Sequence, residues 1–307
     1  MLIRTELREL PALATPLHLA LGVFDGVHVG HQAVIGQAVA AAAAGGGLAG
    51  VLTFDPPPAC VLGPQPGPGA LLATLEHKAR IVAKGGVGLF IPLRFDAAFA
   101  LMEATEFLDL LLVAPVRTIA VGEDWRFGRD RRGDADLLRQ RTASAGIALA
   151  AVPTVMMDGE RVSSTRIRQA IRDGSLAAAA RMLGRPYSLS GIVTEGRKLA
   201  RKLGFPTANV AIGAVLAPPD GVWAVRVSIA GGEPRPGIAN LGVRPTVDGS
   251  VRVLEVHLYD FSGDLYGREI EVEFVHYQRP EMKFESLDLL GAQIAEDVRQ
   301  VRQWLEP

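Results

Sequence analysis

The sequence predicts an α/β unit with a parallel sheet, followed by a small antiparallel β-barrel and one terminal helix. Three observations carry this. In the first half, short apolar runs alternate with helical patterns, as βαβ units with both sheet faces covered require. Beyond Leu183–Pro186 (LGRP) the pattern becomes a two-residue alternation: Leu254, Val256 and Leu258 fall on one face of a strand, and Glu255, His257 and Tyr259 on the other. Finally, Phe284, Leu287, Leu290, Ile294, Val298, Val301 and Leu305 recur three or four residues apart, which predicts an amphipathic helix. A chain of 307 residues, at about 150 per domain, also divides into two. The expected domains are 1–184 and 185–307.

The strands of the first half are expected at His18–Phe24, Gly50–Phe54, Leu89–Leu93 and Thr118–Val121, each followed by a helical stretch. Residues Gln32 to Phe54 carry no charge, but the segment is mostly alanine, breaks at Gly45-Gly46-Gly47 and ends as VLTF. It reads as helix, turn and buried strand rather than a membrane span. Gly63 to Gly69 (GPQPGPG) is a loop near the sheet, because a helical pattern resumes at once. In the second half, Val222–Ile229 and Glu269–Phe274 add strands separated by Gly, Pro and Asp turns, which suits a barrel.

Composition excludes several classes. Hydrophobic residues at 49% and charged residues at 21% describe a folded soluble chain. With 32 basic and 33 acidic residues there is no overall positive field, so nucleic acid is not an expected partner. The single Cys60 rules out an internal disulfide and a multi-thiolate metal site, in keeping with a reducing cytoplasm. Glu6 and Glu9 stand where a signal peptide would be apolar. A cytoplasmic monomer or weak homo-oligomer without membrane association is expected.

Chemistry is expected at the carboxyl ends of the parallel strands. There Gly22–His31 reads GVFDGVHVGH: a strand, a tight turn at Asp25-Gly26, and a helix opening near Gly30. Exposed N–H groups and the positive helix end suit a phosphate chain, and His28 and His31 add donors on one face. The competing readings are a metal pair or a surface pair, but zinc would need further ligands that the sequence does not place nearby. Gly122–Gly133 (GEDWRFGRDRRG) follows a strand at the same edge, and by itself reads equally well as a solvated charged loop. Ser163–Arg168 (SSTRIR) places hydroxyls at a helix start, as a cap and equally as a phosphate clamp with Arg168.

In this order and spacing the three segments resemble the N-terminal module of the prokaryotic bifunctional riboflavin kinase/FMN adenylyltransferases (FAD synthetases). The resemblance implies a Rossmann-like nucleotidyltransferase domain that moves AMP from ATP to FMN, releasing pyrophosphate. ATP would be held by Gly22, Phe24, Asp25, Gly26, His28, Gly30, His31, Gly122, Asp124, Ser164, Thr165 and Arg168, with His28 and His31 catalytic. One position departs from the family, which shows TFxPHP where this chain reads Thr53-Phe54-Asp55-Pro56-Pro57-Pro58. Pro57 supplies neither an imidazole nor a backbone N–H.

The second half resembles the family's kinase module through GFPTAN at Gly204–Asn209, GIANLGVRPTV at Gly237–Val247, LEVHLYDFSGDLYG at Leu254–Gly267 and QRPEMKF at Gln278–Phe284. It implies a β-barrel kinase that phosphorylates riboflavin. Lys202, Gly204, Pro206, Thr207 and Asn209 would hold ATP, with Thr207 and Asn209 on Mg²⁺. Glu255 would be the general base, and Glu255, Arg279, Glu281 and Phe284 would contact the flavin. Lys198, Arg201 and Lys202 stand in for a more glycine-rich loop. The expected activity is riboflavin to FMN to FAD. Against it stand a riboflavin kinase whose first half is impaired by Pro57, a non-catalytic flavin-binding regulator, and a transferase for another cofactor precursor.

Overall fold

The computed structural model describes residues 1–63, 71–196, 203–246 and 249–305. It divides into two compact units, Met1–Gly67 with Thr74–Arg166, and Pro68–Ala73 with Ile167–Pro307. Within the first, β1 (Leu2–Ile3), β2 (Leu17–Leu21), β3 (Leu48–Asp55), β4 (Leu89–Arg94), β5 (Val116–Gly122) and β6 (Ala148–Val152) form one sheet. Their order is β1-β4-β3-β2-β5-β6, with every pairing parallel. Helices α1 (Val29–Gly45), α2 (Pro58–Leu62), α3 (Leu75–Lys84), α4 (Ala97–Ala100), α5 (Ala104–Leu112) and α6 (Ala135–Ser144) connect them. A short hairpin, β7 (Met156–Met157) and β8 (Glu160–Arg161), follows.

The continuous apolar runs are explained by burial on both faces. Leu19, Leu21, Leu52, Ile91 and Ile119 pack with Phe107, Leu108 and Leu111 of α5 on one side. Their neighbours Ala20, Val51, Phe90 and Ala120 pack with Val34, Ile35 and Ala38 of α1 and Val82 of α3 on the other. At about 1.5–3 kcal/mol for each large side chain, these two layers dominate the unit's stability. His18 in β2 is a satisfied core residue, its ring bonded to Thr118 Oγ1 at 2.9 Å and to the Gly46 carbonyl at 3.0 Å. Gln32–Phe54 forms most of α1, the glycine turn and β3. No helix among the described residues is long and apolar enough to cross a membrane.

The second unit holds most of α7 (Ser164–Arg172), all of α8 (Leu176–Leu183), and a closed barrel. The barrel strands are β9 (Ser188–Thr194), β10 (Ala208–Val210), β11 (Gly221–Ile229), β12 (Arg235–Thr246), β13 (Gly249–Leu258) and β14 (Glu269–Arg279). Their order is β10-β13-β12-β11-β14-β9, all antiparallel. The compact units part between Arg166 and Ile167 rather than at 184/185, because α8 and the latter part of α7 group with the barrel. The Gly63–Gly69 expectation lies, beyond Gly63, outside the described residues.

The terminal helix α9 (Leu287–Leu305) begins after Phe284, one turn later than the apolar spacing predicts. It covers part of the barrel's outer face. Tyr259, on the same strand face as Glu255 and His257, is therefore buried with Val222, Ala224 and Ile238 against Val301 and Leu305. The helix is fixed by an ion pair at its centre. Asp297, 3% exposed, accepts from Arg279 Nε at 2.9 Å, from Arg279 Nη2 at 2.6 Å and from Gln293 Nε2 at 2.9 Å. Removing one partner of a buried pair strands the other charge. Asp297→Ala is expected to destabilise the second unit by about 3–5 kcal/mol, read as a lowered thermal midpoint. An unchanged midpoint would show that Arg279 finds another partner.

Candidate active sites

In the parallel sheet β2 lies between β3 and β5, so the chain reverses its direction of winding between β2 and β5. Ligands of such sheets bind in the crevice at that point. The segment after β2 is Gly22–His28 and the segment after β5 is Glu123–Gly133, so the first two sequence motifs flank this crevice.

The first turn is held in an unusual backbone. Phe24 and Val27 take φ of 51° and 43°, and Gly26 takes 78°. Non-glycine residues in this region cost about 1–3 kcal/mol each. Burial holds them there: Phe24 and Val27 are both in the core. The Phe24 ring folds back over Gly22, where a Cβ would stand 2.9 Å from ring carbons. His28 caps α1 instead of standing within it, its Nδ1 accepting the His31 N–H at 3.3 Å. The two imidazoles stack with centroids 3.5 Å apart, and Phe24 meets His31 edge-on at 5.3 Å. Gly30 serves the histidines, since a Cβ there would lie 3.1 Å from the His28 ring. No acidic residue occupies the first turn of α1.

Burial pushes the His31 imidazole well below its ordinary 6.5, and the neighbouring His28, Lys78 and Arg161 push in the same direction. The ring is therefore neutral at pH 7. Because the unfolded chain binds this proton near 6.5 and the folded site resists it, stability is retained above that pH and declines below it. In His31→Gln the fall of the thermal midpoint between pH 7 and about pH 5 should be shallower than in the parent. Equal slopes would place the acid sensitivity elsewhere.

The other two segments are also anchored. Phe127 is buried and exchanges backbone bonds with Gly133 at 3.0 and 2.9 Å, while Trp125 stacks on Phe127 at 4.4 Å. The segment is thus docked through its two rings while its charged residues Glu123, Asp124, Arg126 and Arg129 to Arg132 stay exposed; Gly122 ends β5, and Asp124 pairs with Arg161 at the surface. Ser164 Oγ donates to the Asp25 carbonyl at 3.0 Å, tying the start of α7 to the first turn. Ser163 Oγ accepts the Arg166 N–H at 3.3 Å as a cap, and Arg166 holds the β7–β8 hairpin through the Met157 carbonyl at 2.8 Å. Thr165 is exposed, and Arg168, half-buried, falls in the second unit. Pro57 caps the start of α2, just beyond β3.

On the outer face of the barrel, strand register brings a row together: Asn209 of β10 stands opposite Glu255 of β13, and Glu255 opposite Asn240 of β12. Asn209 is buried against Gly196, where a Cβ would fall 2.1 Å from its Nδ2. The GFPTAN loop turns at Gly204 (φ 88°) and docks on β13, with the Pro206 carbonyl 2.8 Å from His257 Nδ1 and the Phe205 ring edge-on to His257 at 5.6 Å. Thr207 is half-buried beside Asn209 in sequence. Glu281 accepts from Asn240 Nδ2 at 2.9 Å and lies over Gly242, where a Cβ would be 2.1 Å from its Oε1. Arg279 is committed to Asp297 and the Pro280 carbonyl, and Phe284 is half-buried. Lys198, Arg201 and Lys202 lie outside the described residues.

Among the described residues two buried side-chain atoms have no hydrogen-bond partner, His31 Nδ1 and Asn209 Oδ1. One stands in each site. Buried polar groups are otherwise nearly always paired, so both are exceptions that need an explanation. Sequence reasoning missed Lys78, Asn240 and His257. Lys78 had a signal, since with Leu75 and Val82 it falls on the buried stripe of α3.

The FAD synthetase family matches residues 11–166, and the riboflavin kinase family residues 183–305. The bifunctional riboflavin kinase/FMN adenylyltransferase of Escherichia coli K12 is 42% identical over 288 residues, covering 93% of this chain and 92% of that protein. The enzyme of the same name from Haemophilus influenzae is 39% identical over 282 residues, covering 91% of each. A crystal structure described as a macrolide-efflux protein from Streptococcus pneumoniae has a TM-score of 0.83 at 30% identity, covering 99% of this chain and 100% of that one.

Proposed function

Because the chain belongs to the family of bifunctional riboflavin kinase/FMN adenylyltransferases, we propose that its first domain, 1–184, adenylylates FMN at the β2–β5 crevice and its second, 185–307, phosphorylates riboflavin on the barrel's outer face. The observation that carries this reading is the pair of orphaned atoms, one at each site. An imidazole N–H at His31 Nδ1 is a donor for a phosphate oxygen. Asn209 Oδ1 is an acceptor and calls for a donor or a cation.

In the first site the α1 N-terminus, His28 and His31 bind the phosphate chain of ATP, with Gly22, Phe24, Asp25, Gly30, Gly122, Asp124, Ser164 and Thr165 around it. A phosphate oxygen of FMN attacks the α-phosphorus, and pyrophosphate leaves. The neutral His31 imidazole orients the phosphates by donating, without adding charge.

In the second site Glu255 takes the proton of the riboflavin 5′-hydroxyl as the hydroxyl oxygen attacks the γ-phosphorus and ADP leaves. The hard oxygen donors of Thr207 and Asn209 fit Mg²⁺, which prefers such ligands together with substrate phosphates and water. When bound, that ion would neutralise charge on the phosphates. Gly204, Pro206 and Lys202 complete the ATP loop, and Arg279, Glu281 and Phe284 border the flavin. Arg279 contributes by fixing the barrel edge to α9 through Asp297. We assign the protein to the cytoplasm as a monomer or weak homo-oligomer with small-molecule partners only, on its single cysteine and balanced charge.

The test is chromatographic separation of the flavins after incubating the protein with riboflavin, excess ATP and Mg²⁺. Accumulation of FAD is the expected outcome and makes Pro57 a tolerated departure. Arrest at FMN would confine the activity to the kinase, and Pro57→His would then be assayed for recovery.

A further inference from the structure

A buried lysine stands behind the first site. Lys78 of α3 is 3% exposed, and its Nζ donates to the Val23 carbonyl at 2.8 Å and to Thr53 Oγ1 at 3.3 Å. Thr53 Oγ1 itself donates to the same carbonyl at 2.8 Å. Lys78 thereby joins three segments at the carboxyl edge of the sheet: the turn after β2, the end of β3, and α3. Burial lowers its proton affinity, while Asp25 and Asp55 favour the charged form. An ammonium in a core stripe costs several kcal/mol in desolvation, and methionine would fill the same position without that penalty.

Positive charge there suits the site, in addition to that of Arg161, which also acts on His31. A triphosphate brings several negative charges, yet His31 is neutral, and a helix N-terminus offers only about half a charge. Resting on the reading of this crevice as the adenylyl-transfer site, we propose that Lys78 is a positioning residue for FMN adenylylation, which pins the Val23–His28 turn in its left-handed backbone and sets a fixed positive charge behind it. The charge acts through the turn, and Lys78 itself does not touch the substrate.

Three variants separate charge, hydrogen bonding and packing. Lys78→Met keeps the length but removes charge and donor, Lys78→Gln keeps a donor, and Lys78→Arg keeps the charge. With FMN and ATP supplied, kcat/KM for FAD formation should fall about 100-fold in the Met and Gln variants, the scale of a small misplacement. The Arg variant should recover at least a tenth of the parent rate. Riboflavin phosphorylation, measured in the same preparations, should be unchanged. Full activity in Lys78→Met, parental activity in Lys78→Gln, or an Arg variant as impaired as Met would each overturn the proposal. If Lys78→Met proves unfolded by circular dichroism, the Gln and Arg variants decide. His31→Ala run in parallel distinguishes the two levels: its retention of FAD synthesis would overturn the site, whereas its loss with an active Lys78→Met would overturn only Lys78.

Discussion

Glu255→Gln is expected to lower riboflavin phosphorylation by about 10²- to 10⁴-fold, the usual contribution of a positioned general base, while FMN adenylylation stays near the parental rate. Glutamine preserves the size of the side chain and its hydrogen-bonding oxygen but cannot take the 5′-hydroxyl proton. The register that aligns Asn209, Glu255 and Asn240 is set by backbone bonds of three strands, so the substitution leaves the row in place. Neighbouring Leu254 and Val256 remain fully buried inside the barrel. Each step is assayed separately, with riboflavin or FMN as the only flavin. Equal loss of both steps would mean a failed fold or a shared site; an unchanged kinase rate would remove Glu255 from the chemistry.

How much of this was legible in the sequence depended on whether a signal is local. The β2, β3, β4 and β5 cores were, because a strand buried on both faces reads as a nearly continuous apolar run, broken only by residues such as His18 and Thr53 whose polar atoms are hydrogen-bonded. By contrast, β1 is two residues long and β6 (ALAAV) is a half-exposed, alanine-rich edge, so neither carries a β-branched run. The alternation gave the face of Tyr259 but not its burial, because it reports which face a residue takes, not what later covers that face. Only α9, which is distant in sequence, makes the outer side of Ile238 and Tyr259 part of a core.

The sites divided similarly. The motifs marked both candidate sites, since glycine turns and helix starts are local. What each residue does inside a motif was less accessible: Gly30 makes room for the His28 ring, and Arg279 is spent on Asp297. Asn240 and His257 acquire meaning only from register and loop docking, Asn240 opposite Glu255 and His257 under Pro206. Thus sequence spacing singled out the segments proposed to hold ligands, and pairing across strands identified which side chains are already occupied.

His31→Ala should reverse the Glu255 result, cutting FAD formation from FMN by about 10²- to 10³-fold, the loss seen when one donor to a reacting oxyanion is removed, and sparing the kinase. The ring's role in packing must be separated from its role as donor, because it stacks on His28 and meets Phe24 edge-on. Truncation to alanine removes both. His31→Gln retains a donor of similar reach and part of the volume, so activity in this variant well above that of the alanine variant, at comparable thermal midpoints, assigns the loss to the missing donor. Two equally inactive variants with lowered midpoints would instead make His31 a wedge that keeps Phe24 and the strained turn in place. An unchanged FAD rate in His31→Ala would remove the phosphate-binding role altogether, since the buried Nδ1 would then have no ligand to serve.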